Sequence, residues 1–106
     1  MKEFIQIKTT TGDPAIADQI AIDLVDRRLV ACAQIQGPVR SVYRWEGKVE
    51  STEEWVVSLK TVGAHFEAIE KAIAELHPYD VPELIVMPIV GGSDAYLEWV
   101  REQSGQ

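Results

Sequence analysis

The β-rich stretch from Val30 to Glu46 constrains the fold of this chain more than any other feature. An extended strand of these seventeen residues, at about 3.3 Å per residue, spans on the order of 55 Å. A domain of about 100 residues has a radius of gyration of about 13 Å, and it is therefore only about 35 Å across. Either Gly37-Pro38 bends the strand back sharply, or the strand projects from the body of the domain as one arm of a hairpin.

Large aromatic side chains bear on which of these two arrangements is stable in isolation. Beyond Gly37-Pro38, Tyr43 and Trp45 alternate onto one face, and Trp55 follows the turn at 46–48. A projecting hairpin would expose all three rings, and large exposed aromatics and open sheet edges are rarely left in water. We therefore expect a closed cyclic homo-oligomer that covers them. The alternative is a bend at Gly37-Pro38 that folds the rings back onto a monomer's own sheet.

The periodicity of apolar residues predicts four strands and three helices. In chain order, the predicted elements are a strand at 4–10, a helix begun by Asp13 and Pro14, strands at 30–46 and 55–59, a helix opened by Gly63, a strand at 84–90 and a short helix capped by Ser93. This order predicts an α+β fold, the ferredoxin-like β-α-β-β-α-β sandwich, with an extended hairpin between its second and third strands and an added C-terminal helix. The length of 106 residues predicts one domain, residues 1–106.

Several side chains have an expected environment within this fold. Arg27 and Arg28 fall in the last turn of the first helix, where a cation suits the helix dipole. Cys32 lies among small apolar residues and is expected to be a buried, inert thiol. Glu53 and Glu54 are expected to be solvated charges at the start of a strand, with the lining of a subunit cleft as the alternative.

Composition excludes several classes of function. The net charge is 10 − 17 = −7, and no basic stripe offsets it, so we expect no binding to nucleic acid. The single cysteine rules out an internal disulfide and a cysteine-rich zinc site. No segment approaches the roughly 20 apolar residues of a membrane span, and no secretory signal is recognisable at the start. We therefore expect a cytoplasmic protein without membrane association.

No catalytic pattern is recognisable in the sequence. There is no phosphate-binding glycine loop after a strand, no His-Glu-x-x-His motif and no Cys-x-x-Cys pair. His65 is expected at the first turn of the second helix, as a structural residue. We therefore expect a protein that is not an enzyme and has no obligatory cofactor.

The segment from His77 to Glu83 is the strongest candidate for a binding site. Two prolines stiffen it, because each fixes its own φ and restricts the residue before it. Imidazole is a common ligand of copper and zinc, and carboxylates supply oxygen donors. The predicted metal ligands are therefore His77, Asp80 and Glu83, and the expected bound ion is Cu²⁺ or another divalent cation. A helix-terminating histidine that hydrogen-bonds a backbone carbonyl is the alternative.

The sequence resembles the CutA divalent-cation tolerance family, in order, from Ile5 to Val100. The resemblance rests on Arg28-Leu29-Val30-Ala31-Cys32, Ser41-x-Tyr43-x-Trp45-x-Gly47-Lys48, Leu59-Lys60-Thr61, His77-Pro78-Tyr79-x-Val81-Pro82-Glu83 and Tyr96-x-x-Trp99. It implies a ferredoxin-like protomer, a tight homotrimer, binding of copper or other divalent cations, and a likeness in shape to the PII signalling trimers. Some members also carry a cysteine and a second histidine as proposed copper ligands. This sequence has Thr9 and Leu76 at those positions.

Three functions remain open from the sequence. The first is a non-enzymatic trimer that binds divalent cations and contributes to metal tolerance. The second is a PII-like regulator that binds a small anionic effector in clefts between subunits, for which Lys48, Lys60 and Arg27-Arg28 are the available cations. The third is a scaffold that binds no ligand.

Overall fold

A computed structural model describes residues 3–105 and shows a four-stranded antiparallel sheet with three helices. The elements are β1 (Phe4–Thr11), α1 (Pro14–Asp26), β2 (Cys32–Trp45), β3 (Lys48–Val62), α2 (Phe66–Leu76, after a 3₁₀ turn at Gly63–His65), β4 (Ile85–Pro88) and α3 (Asp94–Gln103). The strands lie in the order β2-β3-β1-β4. The predicted α+β fold, with its long hairpin and added C-terminal helix, is confirmed.

The helices begin where the sequence supplies a cap. The Ala15 amide donates to Asp13 Oδ1 at 2.9 Å, and Pro14 occupies the first turn, where its missing N–H costs no bond. At α3, the Tyr96 amide donates to Ser93 Oγ at 3.2 Å. Both predicted caps are confirmed.

The main core lies between the sheet and helices α1 and α2. Its large, fully buried side chains include Ile5 and Ile7 of β1, Ile20 and Leu24 of α1, and Ile69 and Ile73 of α2. Each such side chain contributes about 1.5–3 kcal/mol when it leaves water. A smaller cluster on the other face joins α3 to the sheet through Phe4, Ala31, Val62 and Val100.

The hairpin formed by β2 and β3 projects from the body. The pairing runs from Cys32 opposite Lys60 to Trp45 opposite Lys48, with one register shift between Gln36 and Val39. The molecule measures 45 × 25 × 22 Å along its principal axes. Its long dimension exceeds the about 35 Å expected for a compact domain of this length. The strand therefore continues past Gly37-Pro38, and the alternative of a sharp bend is wrong.

Only two of the three hairpin aromatics lie in solvent. Tyr43 and Trp45 are 42% and 62% exposed. Trp55 is half-buried and packs against the main core, so the expectation that it would be exposed is wrong. Its strand neighbour explains the difference, because Trp55 pairs with Thr11 at the end of β1 and therefore lies over the body of the domain.

Several element boundaries differ from the prediction. Strand β3 begins at Lys48 rather than near Trp55, because the polar residues after the turn pair along β2. Strand β4 ends at Pro88, which has no N–H to donate, so Ile89 and Val90 lie outside it. Pro88 thus lies at the end of an edge strand, where a residue without an N–H is tolerated.

The environments of two cationic residues and the cysteine also differ from the prediction. Helix α1 ends at Asp26, so Arg27 and Arg28 follow the helix rather than occupying its last turn. Arg28 has a φ of 59° and donates to the Glu102 carbonyl at 2.7 Å, which ties α3 to the end of α1. Cys32 is half-exposed rather than buried, because it begins edge strand β2. Across residues 3–105, no helix is long and apolar enough to span a membrane.

Candidate cation site at the His77 loop

His77 is the C-cap residue of α2, directly after Leu76. Its amide donates to the Ile73 carbonyl at 2.8 Å, while its backbone turns extended, with φ −84° and ψ 135°. Pro78 causes this change, because its ring excludes helical geometry at the preceding residue. The sequence therefore places the imidazole at a fixed point between helix and loop.

Both ring nitrogens of His77 bond to the backbone. The side chain is buried, at 6% exposure; Nε2 lies 2.6 Å from the Thr10 carbonyl oxygen, and Nδ1 lies 3.1 Å from the Tyr79 amide nitrogen. Because an amide can only donate, Nδ1 accepts from Tyr79, and the ring proton sits on Nε2 and points at Thr10. The alternative of a helix-terminating histidine bonded to a backbone carbonyl is thus what the structure shows.

The same geometry is compatible with a ligating histidine. Metal-bound histidines usually donate their second ring N–H to a carbonyl or carboxylate, which fixes the orientation of the ring. The Nε2–H bond from His77 to Thr10 has this form. A cation would then take the Nδ1 lone pair, which now accepts the Tyr79 amide.

The two predicted carboxylates lie further along the loop. Asp80 is exposed, whereas Glu83 is half-buried. Glu83 Oε2 lies 3.6 Å from Lys8 Nζ and has no hydrogen-bond partner among the described residues. Within residues 3–105, no group of three or more His, Cys, Asp or Glu side chains is arranged to hold a metal ion. One subunit in this conformation therefore does not assemble His77, Asp80 and Glu83 into a complete coordination shell.

Thr9 and Leu76 occupy apolar surroundings. Thr9 is fully buried, and its hydroxyl has no hydrogen-bond partner in the described part of the chain. Leu76 packs against the main core as a partly buried side chain. Neither residue offers a strong ligand for a soft or borderline metal. Among the positions at which some family members carry proposed copper ligands, only His77 therefore supplies a nitrogen donor.

The structure adds two residues to the site that the sequence analysis did not select. The Tyr79 ring meets the His77 ring edge-on, with centroids 4.6 Å apart at 61°, and the Tyr79 hydroxyl lies 3.4 Å from Glu54 Oε2. Glu54 is only 8% exposed, so its expected solvation is wrong, whereas Glu53 is exposed as predicted. The sequence offered a signal for Tyr79, because this residue is adjacent to Pro78 in the same stiff loop. It offered no signal for the burial of Glu54, which depends on tertiary packing.

Burial and charge perturb the Tyr79 phenol. Removal from water raises the pKa of Tyr79 above its usual value of 10.0, and repulsion of the phenolate by Glu54 adds to the rise. The Gly12 backbone amide acts in the opposite direction, since it favours the phenolate. A β-carbon at Gly12 would lie 3.0 Å from the Tyr79 oxygen, so the close approach depends on glycine there. The two leading effects at Tyr79 therefore favour the neutral phenol over the phenolate.

This fold and loop define a class: a ferredoxin-like α+β protein with a long projecting hairpin and a proline-rigid histidine loop. The sequence model described as "CutA1 divalent ion tolerance protein" matches residues 5–103. The divalent-cation tolerance protein CutA of Thermus thermophilus is 38% identical over 105 residues, covering 99% of this chain and 100% of that protein. The CutA protein of Pectobacterium atrosepticum is 38% identical over 97 residues, covering 92% of this chain and 88% of its own length.

Solved structures agree with the sequence comparison. CutA1 from a psychrotrophic Shewanella bacterium superposes with a TM-score of 0.96 at 38% identity, covering 99% of this chain and 98% of that one. Cut A1 from Thermus thermophilus superposes with a TM-score of 0.93 at 36% identity, with coverages of 96% and 99%. The chain belongs to the CutA1 divalent ion tolerance protein family.

Proposed function

We propose that this protein is a non-enzymatic homotrimer that binds divalent cations, copper foremost, and thereby contributes to divalent cation tolerance. The observation that carries the cation proposal is the bonding of His77. Its Nε2–H donates to the Thr10 carbonyl and orients the ring, while the Nδ1 lone pair accepts the amide of Tyr79, in the same loop as Asp80 and Glu83, and is the donor that a cation would take. An imidazole nitrogen with carboxylate oxygens is a donor set that suits Cu²⁺.

Electrostatics support the same proposal. A net charge of −7 raises the concentration of cations near the surface. Glu83 Oε2 is buried without a hydrogen-bond partner among the described residues, and the Lys8 ammonium lies 3.6 Å away, beyond hydrogen-bond distance, so a bound cation would supply the close partner that this oxygen lacks. Because one subunit does not complete the shell, we assign the remaining ligands to water, to a moved loop or to a neighbouring subunit.

The trimer is supported by uncovered apolar surface. Strands β2 and β4 lie at the two edges of the sheet. Ile85 and Met87 of β4 are 46% and 38% exposed on the face opposite α1 and α2, and Trp45 is exposed on the hairpin. Sister copies would cover such edges and rings. We take three subunits because the family resemblance implies that number.

Two further parts of the proposal rest on the sequence. No recognisable catalytic motif accompanies His77, which supports a binding function rather than an enzymatic one. The single cysteine, Cys32, needs no oxidising compartment, which supports the cytoplasm as the location. Relatives differ in this respect, since one is named chloroplastic and another periplasmic. Fractionation of cells that express the protein tests the location.

Calorimetric titration with Cu²⁺ tests the cation proposal. We expect saturable binding by the native protein and at least about tenfold weaker binding by His77→Gln, since the imidazole is the strongest donor of the set. The matched control is His65→Gln, which alters the other histidine of the chain, at the start of α2. Identical isotherms for the native protein and His77→Gln would remove His77 as a ligand.

A PII-like regulator is the second candidate function. The observation that favours it is that both His77 nitrogens already bond backbone groups, so neither is free for a cation in this conformation. This function predicts a thermal shift with a small anionic or nucleotide effector and none with divalent cations. A protein that responds neither to anionic effectors nor to divalent cations would instead be a scaffold that binds no ligand, the third function that the sequence left open.

A further inference from the structure

We propose that Tyr79 controls the access of a divalent cation to Nδ1 of His77, and that it does so as a positioning residue rather than as a ligand. The inference rests on the proposed function, because it concerns the same site. It follows from where Tyr79 places its backbone amide, its ring and its hydroxyl.

The Tyr79 amide occupies the lone pair that a cation needs. Nδ1 of His77 accepts this N–H at 3.1 Å, while Nε2 is committed to Thr10. A cation can bind Nδ1 only after the amide has moved away, since one imidazole nitrogen has a single lone pair in the ring plane. Cation binding and the closed position of the Tyr79 backbone are therefore mutually exclusive.

The Tyr79 side chain holds that backbone in the closed position. Its hydroxyl lies 3.4 Å from Glu54 Oε2 on β3, a contact outside the loop itself. The same oxygen lies so close to Gly12 that a β-carbon there would be 3.0 Å away. Movement of the amide from His77 therefore strains or breaks the contact with the hairpin.

The Tyr79 ring also covers the imidazole. The two rings meet edge-on at 4.6 Å, and His77 is 6% exposed whereas Tyr79 is 44% exposed. Residues 78–84 form no helix or strand, so this segment can move while His77 stays in place, without breaking the sheet. The bond from His77 Nε2–H to Thr10 needs no change in that movement. Opening of the loop therefore presents to the cation an imidazole ring that is already oriented.

Weakening the hydroxyl anchor should strengthen cation binding. Tyr79→Phe removes the contact with Glu54 and keeps the ring, so we expect the apparent Kd for Cu²⁺ to fall about two- to fivefold, the equivalent of one weak hydrogen bond. Gly12→Ala is a second variant that displaces the hydroxyl by steric contact, and we expect a change in the same direction. The matched control is Tyr96→Phe on α3, outside the loop; its Kd should equal that of the native protein.

A second readout follows the amide itself. In ¹⁵N-labelled native protein, saturation with Zn²⁺ should accelerate hydrogen exchange at the Tyr79 amide, because that N–H loses its acceptor. Exchange that stays unchanged at full saturation would overturn the proposal, since the amide and the cation would then not compete.

The failures of the two proposals are distinguishable. If His77→Gln loses Cu²⁺ binding but Tyr79→Phe and Gly12→Ala bind as the native protein does, control by Tyr79 is wrong and the cation site stands. If His77→Gln binds as the native protein does, the cation site at His77 is wrong, and control by Tyr79 is wrong with it. If Tyr79→Phe lowers the Kd for Cu²⁺ and the double variant His77→Gln/Tyr79→Phe does not, both proposals are supported.

Discussion

The indole of Trp55 lies directly against the α-carbon of Gly37, on the neighbouring strand. A β-carbon built at Gly37 would be 2.5 Å from Cδ1 of Trp55 and 3.0 Å from Nε1, closer than real contacts allow. The contact falls within the register shift between Gln36 and Val39, where the hairpin leaves the body of the domain. Trp55 therefore fills space that only glycine leaves open, and it joins the hairpin to the core.

Gly37→Ala should destabilise the protein. The added methyl group must displace the Trp55 ring from its place against the core, and overpacking of this kind costs about 1–3 kcal/mol of the free energy of unfolding. Urea denaturation measures the change. Gly91→Ala is the matched control, because a β-carbon there meets nothing within 4 Å. Equal destabilisation by both variants would show that the Trp55 contact does not explain the effect.

Trp45→Ser should weaken the proposed trimer. Trp45 is 62% exposed at the end of the hairpin, and a tryptophan buried at the centre of a subunit interface commonly contributes about 2 kcal/mol or more to association. We expect the concentration at which subunits dissociate to rise by at least about tenfold. Light scattering over a dilution series measures it. Val42→Ser, at a neighbouring exposed position, is the control, and a trimer unaffected by Trp45→Ser would contradict the proposed interface.

Alkaline pH should remove stability that Tyr79 provides. Its pKa is raised by burial first and by the Glu54 charge second, so the folded protein keeps the phenol proton at a pH where the unfolded chain has lost it. The contribution is therefore complete below the unfolded pKa of about 10 and is lost as pH rises through the folded pKa. The difference in unfolding free energy between the native protein and Tyr79→Phe should therefore be constant well below about pH 10 and fall as the pH rises above it. A difference that is constant or grows would contradict the assignment.

Local patterns in the sequence were sufficient for most of the fold. The alternation of Ile5 and Ile7 with polar neighbours identified β1, and Asp13 before Pro14 identified the start of α1, because each depends on residues close in the chain. Strand length alone reduced the hairpin to two arrangements, a sharp bend at Gly37-Pro38 or a projection from the domain. These predictions needed no knowledge of which strands are neighbours.

Features that depend on tertiary contacts were missed. Trp55 is covered because antiparallel pairing brings it beside Gly37, a residue on the other arm of the hairpin. Glu54 is buried although the three residues before it are polar, because Tyr79 lies against it. The loop at His77 was identified from its composition, but the bond of the ring Nε2 depends on Thr10, which is distant in sequence.

The nitrogen signals of His77 test the central claim most directly. In protein labelled with ¹⁵N in its histidines, titration with Zn²⁺ as a diamagnetic divalent cation should shift His77 Nδ1, while Nε2 keeps its proton and its bond to Thr10. His65, the other histidine, serves as the internal reference. A saturable shift at Nδ1 is the result that the account predicts. Unchanged His77 nitrogens under conditions where the protein binds the cation would contradict it.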